Sequence, residues 1–288
     1  MKSMREIKHR MQAIQNIENV TRSMKTIASV RLRNIEGKTR LTRPYVQAMQ
    51  QFLQQVLNRA EGLPSDPLLD AREVKNRCYL VVASDRGLCG SHNHDIVRYA
   101  ETVIAGHPNA RIVALGKYAY RHFLNLNYPS VVSYDEITDD IGFAVVKHMT
   151  ARLIRGFLNR EIDEVSLIYT KYYDPARQEP VVLRLLPIDI GSLGRIDGSG
   201  SPAEYLFDAP PEEILRFLLP QYVNTVVYQA LLEAKMSEQA ARMVAMDTAT
   251  DNAEEMMDEL KMEYSRSRQE MITEEIIETI EAAELSRS

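Results

Sequence analysis

Proline and glycine are nearly absent from both ends of this 288-residue chain, and their absence restricts what those ends can become. Residues 1–43 hold no proline and a single glycine, Gly37; from Glu212 to Leu285 there is no glycine and one proline, Pro220. An interior glycine costs a helix only about 1 kcal/mol, so each end reads as one long helix. In the first, Ile7, Met11, Ile14, Ile17, Thr21, Met24 and Ala28 recur at steps of three and four, an amphipathic seam. Helix is predicted from Ser3 to Asn58, roughly 80 Å at 1.5 Å per residue, with a bend at Pro44 and an end at Glu61-Gly62-Leu63-Pro64. In the last, Met243, Met246, Ala249, Ala253, Met256, Leu260, Ser267 and Met271 trace a seam of small or flexible side chains. That helix is predicted to run on the order of 110 Å, bent at Pro220.

Charge suggests what the two ends do with each other. Met1 to Arg43 carries eleven Lys/Arg against three Asp/Glu, whereas Glu233 to Ser288 carries six against fifteen. Oppositely charged helices with narrow seams are most cheaply satisfied as an antiparallel coiled coil. The longer last helix then outruns its partner, and its tip needs an enclosure from elsewhere. The basic start could serve as a transit peptide or hold nucleic acid. Its apolar pattern continues past residue 30, however, and aromatic residues are not interleaved with the charges, so a structural helix is the better reading.

The middle alternates short apolar runs with helical stretches. Strands are expected at 77–84, 110–116, 130–134, 165–173 and 181–188, and helices after the first and second of them and over 140–160. Phe143, Val146, Met149, Leu153 and Phe157 mark the buried face of that last helix. This alternation implies a parallel sheet covered by helices, closed by a hairpin turning at Asp174-Pro175. Gly191 to Pro202 is a Gly/Ser-rich linker.

No enzymatic fingerprint emerges. Ser84-Asp85-Arg86-Gly87-Leu88-Cys89-Gly90 sits where phosphate-binding turns occur, but it lacks the dinucleotide glycine spacing and no P-loop is present, so a structural strand-to-helix turn is expected. Cys78 and Cys89, the only cysteines, make neither a zinc set nor a disulfide framework and suit a reducing compartment. His92 and His94 would be splayed on a helix and are expected to be a solvated pair. No run of about 18 apolar residues is available to span a membrane.

Three segments together resemble the gamma subunit family of F-type ATP synthases. These are Met4-Arg5-Glu6-Ile7-Lys8 through Thr21-Arg22-Ser23-Met24-Lys25, with Arg43-Pro44-Tyr45 beyond; Ser84 to Gly90; and Ser237 to Met246 with Ala249-Thr250-Asp251-Asn252-Ala253 and Arg266 to Glu275. The resemblance runs through the chain in order. It implies an α/β fold in which the terminal helices form an antiparallel coiled coil beside a Rossmann-like domain. The implied parts are a coiled-coil helix over 1–60, the Rossmann-like domain over 70–190, a linker and foot over 191–208, and a second coiled-coil helix over 209–288. It further implies a non-catalytic rotor shaft, without cofactor, metal, nucleic-acid or small-molecule ligand, that couples ion-driven rotation of a membrane ring to ATP synthesis or hydrolysis. Its partners would be the alpha and beta subunits of the head, the epsilon subunit and the c-subunit ring, at the cytoplasmic face of a bacterial membrane. Residue by residue, Arg268, Gln269, Thr273 and Glu275 match the family's head contacts, and Met24, Lys25 and Arg242 match positions important for coupling. Tyr205 and Asp208 lie where the family meets the ring and epsilon, Asp208 standing where many members have Glu. Departures occur at Ser91-His92-Asn93, which alters the local turn, and around Ser29-Val30-Arg31. The alternative reading is a non-rotary cytosolic coiled-coil adaptor.

Overall fold

The computed structural model describes residues 4–59, 66–126, 128, 130–134, 141–189, 191 and 209–285. Its elements are α1 (Met4–Arg59), β1 (Arg77–Val82), α2 (His92–Ile104), β2 (Arg111–Leu115), α3 (Lys117–Asn125), β3 (Ser130–Tyr134), α4 (Phe143–Leu158), β4 (Glu164–Asp174), β5 (Arg177–Leu186) and α5 (Pro211–Leu285). Pro44 and Pro220 lie inside α1 and α5 without ending either helix. The chain forms two compact units, one of Met1–Ser29 with Arg242–Ser288 and one of Val30–Ala241.

In the larger unit the strands run in the order β3-β2-β1-β4-β5, the first four parallel and β5 antiparallel to β4. Side chains alternate across a strand, and this sheet buries both faces. Cys78, Leu80 and Val82 of β1 join one core with Val146, Met149, Leu153 and Phe157 of α4, Met49, Leu53 and Val56 of α1, and Leu215 to Ala234 of α5. Tyr79 and Val81, on the other face, join Ile96, Val97, Ala100 and Ile104 of α2 and Phe123 of α3. A sheet covered on both faces must be apolar nearly throughout, which is why β1 and β2 read as continuous runs. Phe143 stands apart from the expected α4 face: it is 41% exposed and meets Tyr228 edge-on, ring centroids 5.4 Å apart.

The β1–α2 turn is held by its own side chains. Asn93 Oδ1 accepts the Ser84 backbone N–H at 3.0 Å and lies 2.8 Å from the Ser84 hydroxyl, while its amide nitrogen donates to Cys89 Sγ at 3.3 Å. Gly90 takes a positive φ of 57° and Leu88 one of 62°. Thus Ser91-His92-Asn93, although it departs from the family pattern, supplies the residue that ties the turn. The expectation of a solvated histidine pair is corrected here: His94 is exposed, but His92 is buried because it opens α2 on the core side. Burial also pushes the Cys78 thiol up to about 12, partly offset by Arg111, so this sulfur stays protonated.

Two contacts fix the edges of the sheet layer. Gly116, at φ 100°, lets the β2–α3 turn pass so close to β1 that a Cβ there would stand 2.2 Å from the Ala83 carbonyl oxygen. Asp163, buried ahead of β4, accepts from Arg72 Nε at 2.8 Å and from the backbone N–H groups of Asn76 at 2.9 Å and Lys75 at 3.1 Å. Burial opposes its charge, yet these donors outweigh that cost and hold its carboxyl below the usual range.

Gly116→Ala should destabilise the larger unit by about 2 kcal/mol or more, since only glycine occupies that conformation without strain. Gly106→Ala, where a Cβ meets nothing within 4 Å, should fall within about 0.5 kcal/mol of the parent in the same urea titration. Asp163→Asn should cost about 3 kcal/mol at neutral pH by leaving Arg72 without its carboxylate. A depressed folded pKa stabilises above the unfolded value near 3.9 and ceases to as pH falls. The gap between parent and variant in denaturation midpoints should therefore narrow below about pH 4.

Candidate functional site

Among the described residues the smaller unit is made only of helix. Its α1 segment turns Ile7, Met11, Ile14, Glu18, Thr21, Lys25 and Ala28 inward, all buried or half-buried. Its α5 segment turns in Met246, Thr250, Ala253, Met257, Leu260, Tyr264 and Ser267. Both sets step by four and three without a break, the 3.5-residue period of a left-handed coiled coil. This shifts the expected seams by one residue at four places, to Glu18, Lys25, Thr250 and Met257 in place of Ile17, Met24, Ala249 and Met256. Ile17 is 50% exposed while Glu18 is 8%, and Met256 is 51% exposed while Met257 is 6%. A strict heptad count from Ile7 finds Glu18, and between two adjacent methionines only the period selects Met257.

The polar seam residues set the pairing. Thr21 Oγ1 and Thr250 Oγ1 meet at 2.8 Å. Lys25 Nζ pairs with Asp247, one turn along α1 and one turn back along α5, which makes the helices antiparallel. Arg22 reaches Glu18 on its own helix and Glu254 on the other, each at 2.7 Å. Glu18 also accepts from Gln15 Nε2 at 2.9 Å. Of the residues expected at coupling positions, Lys25 is tied to Asp247, Met24 is half-buried beside the seam, and Arg242 is buried, 7% exposed, at the start of this α5 segment. Glu18, Asp247 and Glu254 were not singled out from the sequence, because none is apolar.

Past Ser267 the α5 seam has no counterpart among the described residues of α1, which begin at Met4 opposite it. Arg268 to Leu285 continues for about 27 Å. Met271, Ile272, Ile276, Ile277 and Ile280 there are 40–54% exposed. Arg268, Gln269, Thr273 and Glu275 are all exposed on this segment. Seven residues separate Arg268 from Glu275, so both flank Ile272, while Gln269 and Thr273 lie beside Ile276 and Ile280. The surface thus interleaves an apolar stripe with a fork of cationic donors, an amide and a carboxylate, which suits a partner groove that is apolar with polar rims. Thr273 is held inward by donating to the Gln269 carbonyl at 2.9 Å. Tyr205 and Asp208 lie outside the described residues. Among the described residues no group of three or more His, Cys, Asp or Glu is placed to hold a metal, and no helix is long and apolar enough to cross a membrane.

Replacing Thr21 and Thr250 together with cysteine should give an interhelical disulfide under mild oxidation, since the two Oγ1 atoms already touch. Non-reducing electrophoresis of a chain cut between the helices would show the crosslink. Crosslinking of Thr21→Cys only to positions a turn away would disprove this register.

Comparison with known proteins agrees with the geometry. The sequence model of the ATP synthase family matches residues 3–284. An ATP synthase gamma chain from Heliobacterium modesticaldum is 36% identical over 287 residues, covering 98% of this chain and 99% of its own length. One from Rubrobacter xylanophilus is 37% identical over 294 residues, with 99% and 98% coverage. Among solved structures, a chain of the Euglena gracilis mitochondrial ATP synthase superimposes with a TM-score of 0.67 at 20% identity, covering 97% of this chain and 93% of that one, which shows the shared fold. An antiparallel pair of terminal helices and a Rossmann-like sheet, in a chain matched end to end by these relatives, place it in the ATP synthase gamma chain family.

Proposed function

We propose that this chain is the central shaft of a rotary ATP synthase, turning within a head of alpha and beta subunits and seated on a ring of c subunits, with epsilon at its foot. It is a non-catalytic subunit that transmits torque, and it works at the cytoplasmic face of a bacterial membrane as a peripheral component. Family membership supports the role, and the Euglena neighbours come from an assembly of OSCP, F1 and c-ring and from a rotor. The observation that carries the reading is the α5 segment after Ser267, a helix with exposed isoleucines and no partner among the described residues of its own chain. A solvent-exposed apolar helix of this length calls for an enclosing protein. A free coiled-coil adaptor would instead match its two helices in length.

Within that reading, Arg268, Gln269, Thr273 and Glu275 form the polar contacts to the head. Met24, Lys25 and Arg242 govern coupling, and Tyr205 and Asp208 contact the ring and epsilon. Lys25 contributes indirectly: its pairing with Asp247 holds the α1 surface that carries Met24 at a fixed angle to α5. Charge-assisted contacts from Arg268 are worth about 1.5–3 kcal/mol each when shielded, enough to bias one conformation of a catalytic neighbour without locking rotation.

Arg268→Ala with Gln269→Ala should slow steady-state ATP hydrolysis of the assembled complex several-fold or weaken assembly, with the helical content of the chain unchanged. Full turnover and normal assembly would reduce both to surface residues. Met24→Lys adds a cation beside Arg22 and Lys25 and should uncouple, leaving ATP hydrolysis while ATP-driven ion pumping falls. Purification of the tagged chain should recover alpha and beta subunits; its isolation without them would remove the rotor reading.

A further inference from the structure

The larger unit contains a cavity of about 370 Å³ bounded by α1, the β4–β5 hairpin and α5. Its volume is in the range of small-molecule sites. Val46, Leu183, Leu185, Val223, Val226 and Ala230 form an apolar interior. Around these stand three cations, Arg43, Lys171 and Arg184, and two carboxylates, Asp189 and Glu233.

The carboxylates are committed. Asp189 pairs with Arg184 at 3.2 Å, and Glu233 accepts from Tyr169 at 3.3 Å and from Gln229 at 3.2 Å. The remaining cations have no such counter-ion: neither Arg43 nor Lys171 pairs with a carboxylate among the described residues, and the Lys171 ammonium rests 5.3 Å from the Tyr173 ring centre. Gln47 adds an amide at the same wall. A cavity that sets an aliphatic patch beside two uncompensated cations and amide donors is complementary to an apolar body that ends in one acidic group.

We propose that this cavity is a binding site for a small amphipathic monoanion, a medium-chain carboxylate being the simplest example. The chain packs against the valines and leucines, and the headgroup meets Arg43 and Lys171. Arg can offer a planar pair of donors to a carboxylate, while Lys supplies a mobile point charge. The site is independent of the rotor reading, since every lining residue belongs to the larger unit and none is on the exposed α5 end.

The test is titration of the full chain, methyl-labelled at Ile, Leu and Val, with decanoate below its micelle concentration, followed by NMR. Saturable shifts should appear at Val46, Leu183, Leu185, Val223 and Val226 but not at Ile272, Ile276 or Ile280. Arg43→Gln with Lys171→Gln should weaken the dissociation constant at least tenfold, with those methyl resonances otherwise in place as evidence of an intact fold. Decylammonium should not compete. Absence of saturable shifts in the cavity, shifts confined to the α5 isoleucines, undiminished affinity in the double variant, or equal binding of decylammonium would each overturn the proposal.

Discussion

In the paired ends of the chain, Thr21 and Thr250 bring their hydroxyls within 2.8 Å at a seam position where a coiled coil ordinarily buries aliphatic side chains. A buried hydrogen bond of this kind nets about 1 kcal/mol. Each hydroxyl also reaches a carbonyl of its own helix, Thr21 that of Glu18 at 3.1 Å and Thr250 that of Met246 at 2.8 Å. Sliding one helix by a turn would break the contact between the two threonines, and would also part Lys25 from Asp247 and Arg22 from Glu254. The interaction therefore contributes more to register than to stability. It has to, because Ala28, Ala253, Met246 and Met257 beside it are small or flexible and would pack nearly as well in neighbouring registers.

The larger unit repeats this choice under heavier burial. Lys235 and Glu238, both 6% exposed at the side chain, pair at 3.0 Å on α5, and Ser237 donates to the Thr170 carbonyl at 2.9 Å. Replacing such a pair by aliphatic residues would often leave stability unchanged or raise it, so its presence is better explained by specificity. From Ala234 to Ala240 every residue of α5 is buried. This stretch is clasped by Thr39 of α1, whose hydroxyl lies 3.4 Å from Met236 Sδ, and by the β4–β5 hairpin. The hairpin is also anchored by the Tyr172 hydroxyl donating to Glu36 at 3.1 Å. The extended β4 and β5 strands thus serve as a brace across both helices.

Much of this was legible from the residues. The punctuation by Gly and Pro marked both long helices, and the apolar runs at β1 and β2 announced a sheet buried on both faces. The parallel order and the closing hairpin followed from strand–helix alternation. What failed was the phase of the seams. Ile17 and Met256 look like core residues, but a 3.5-residue period brings Glu18 and Met257 inward instead, and Glu18 is accommodated by Arg22 and Gln15 of its own helix. The candidate site was legible in a different sense. Arg268, Gln269, Thr273 and Glu275 came from family likeness, whereas the geometry shows only that they are exposed on an unpartnered helix. The tie made by Asn93 was invisible because it depends on Ser84, nine residues earlier in the turn that follows β1.

The contrast between polar seam and apolar tip has a mechanical consequence. Up to Ser267 the helices satisfy each other with bonds that resist slippage, so a twist applied to one is borne by the pair. Beyond it, Ile272, Ile276 and Ile280 offer only non-directional contact. Directional bonds hold a surface at one angle; apolar contact holds it at nearly all angles with similar energy. A shaft needs the first property within itself and the second against its housing. On the reading proposed above, the few polar groups on the tip, Arg268 and Gln269 foremost, would supply the angular preference that distinguishes one catalytic neighbour from the next. Because each such contact is limited to a few kcal/mol, it can be broken and remade within a turn. Stiffness inside, low friction outside and a sparse set of breakable contacts are thereby drawn from one continuous helix by changing which residue types occupy its faces.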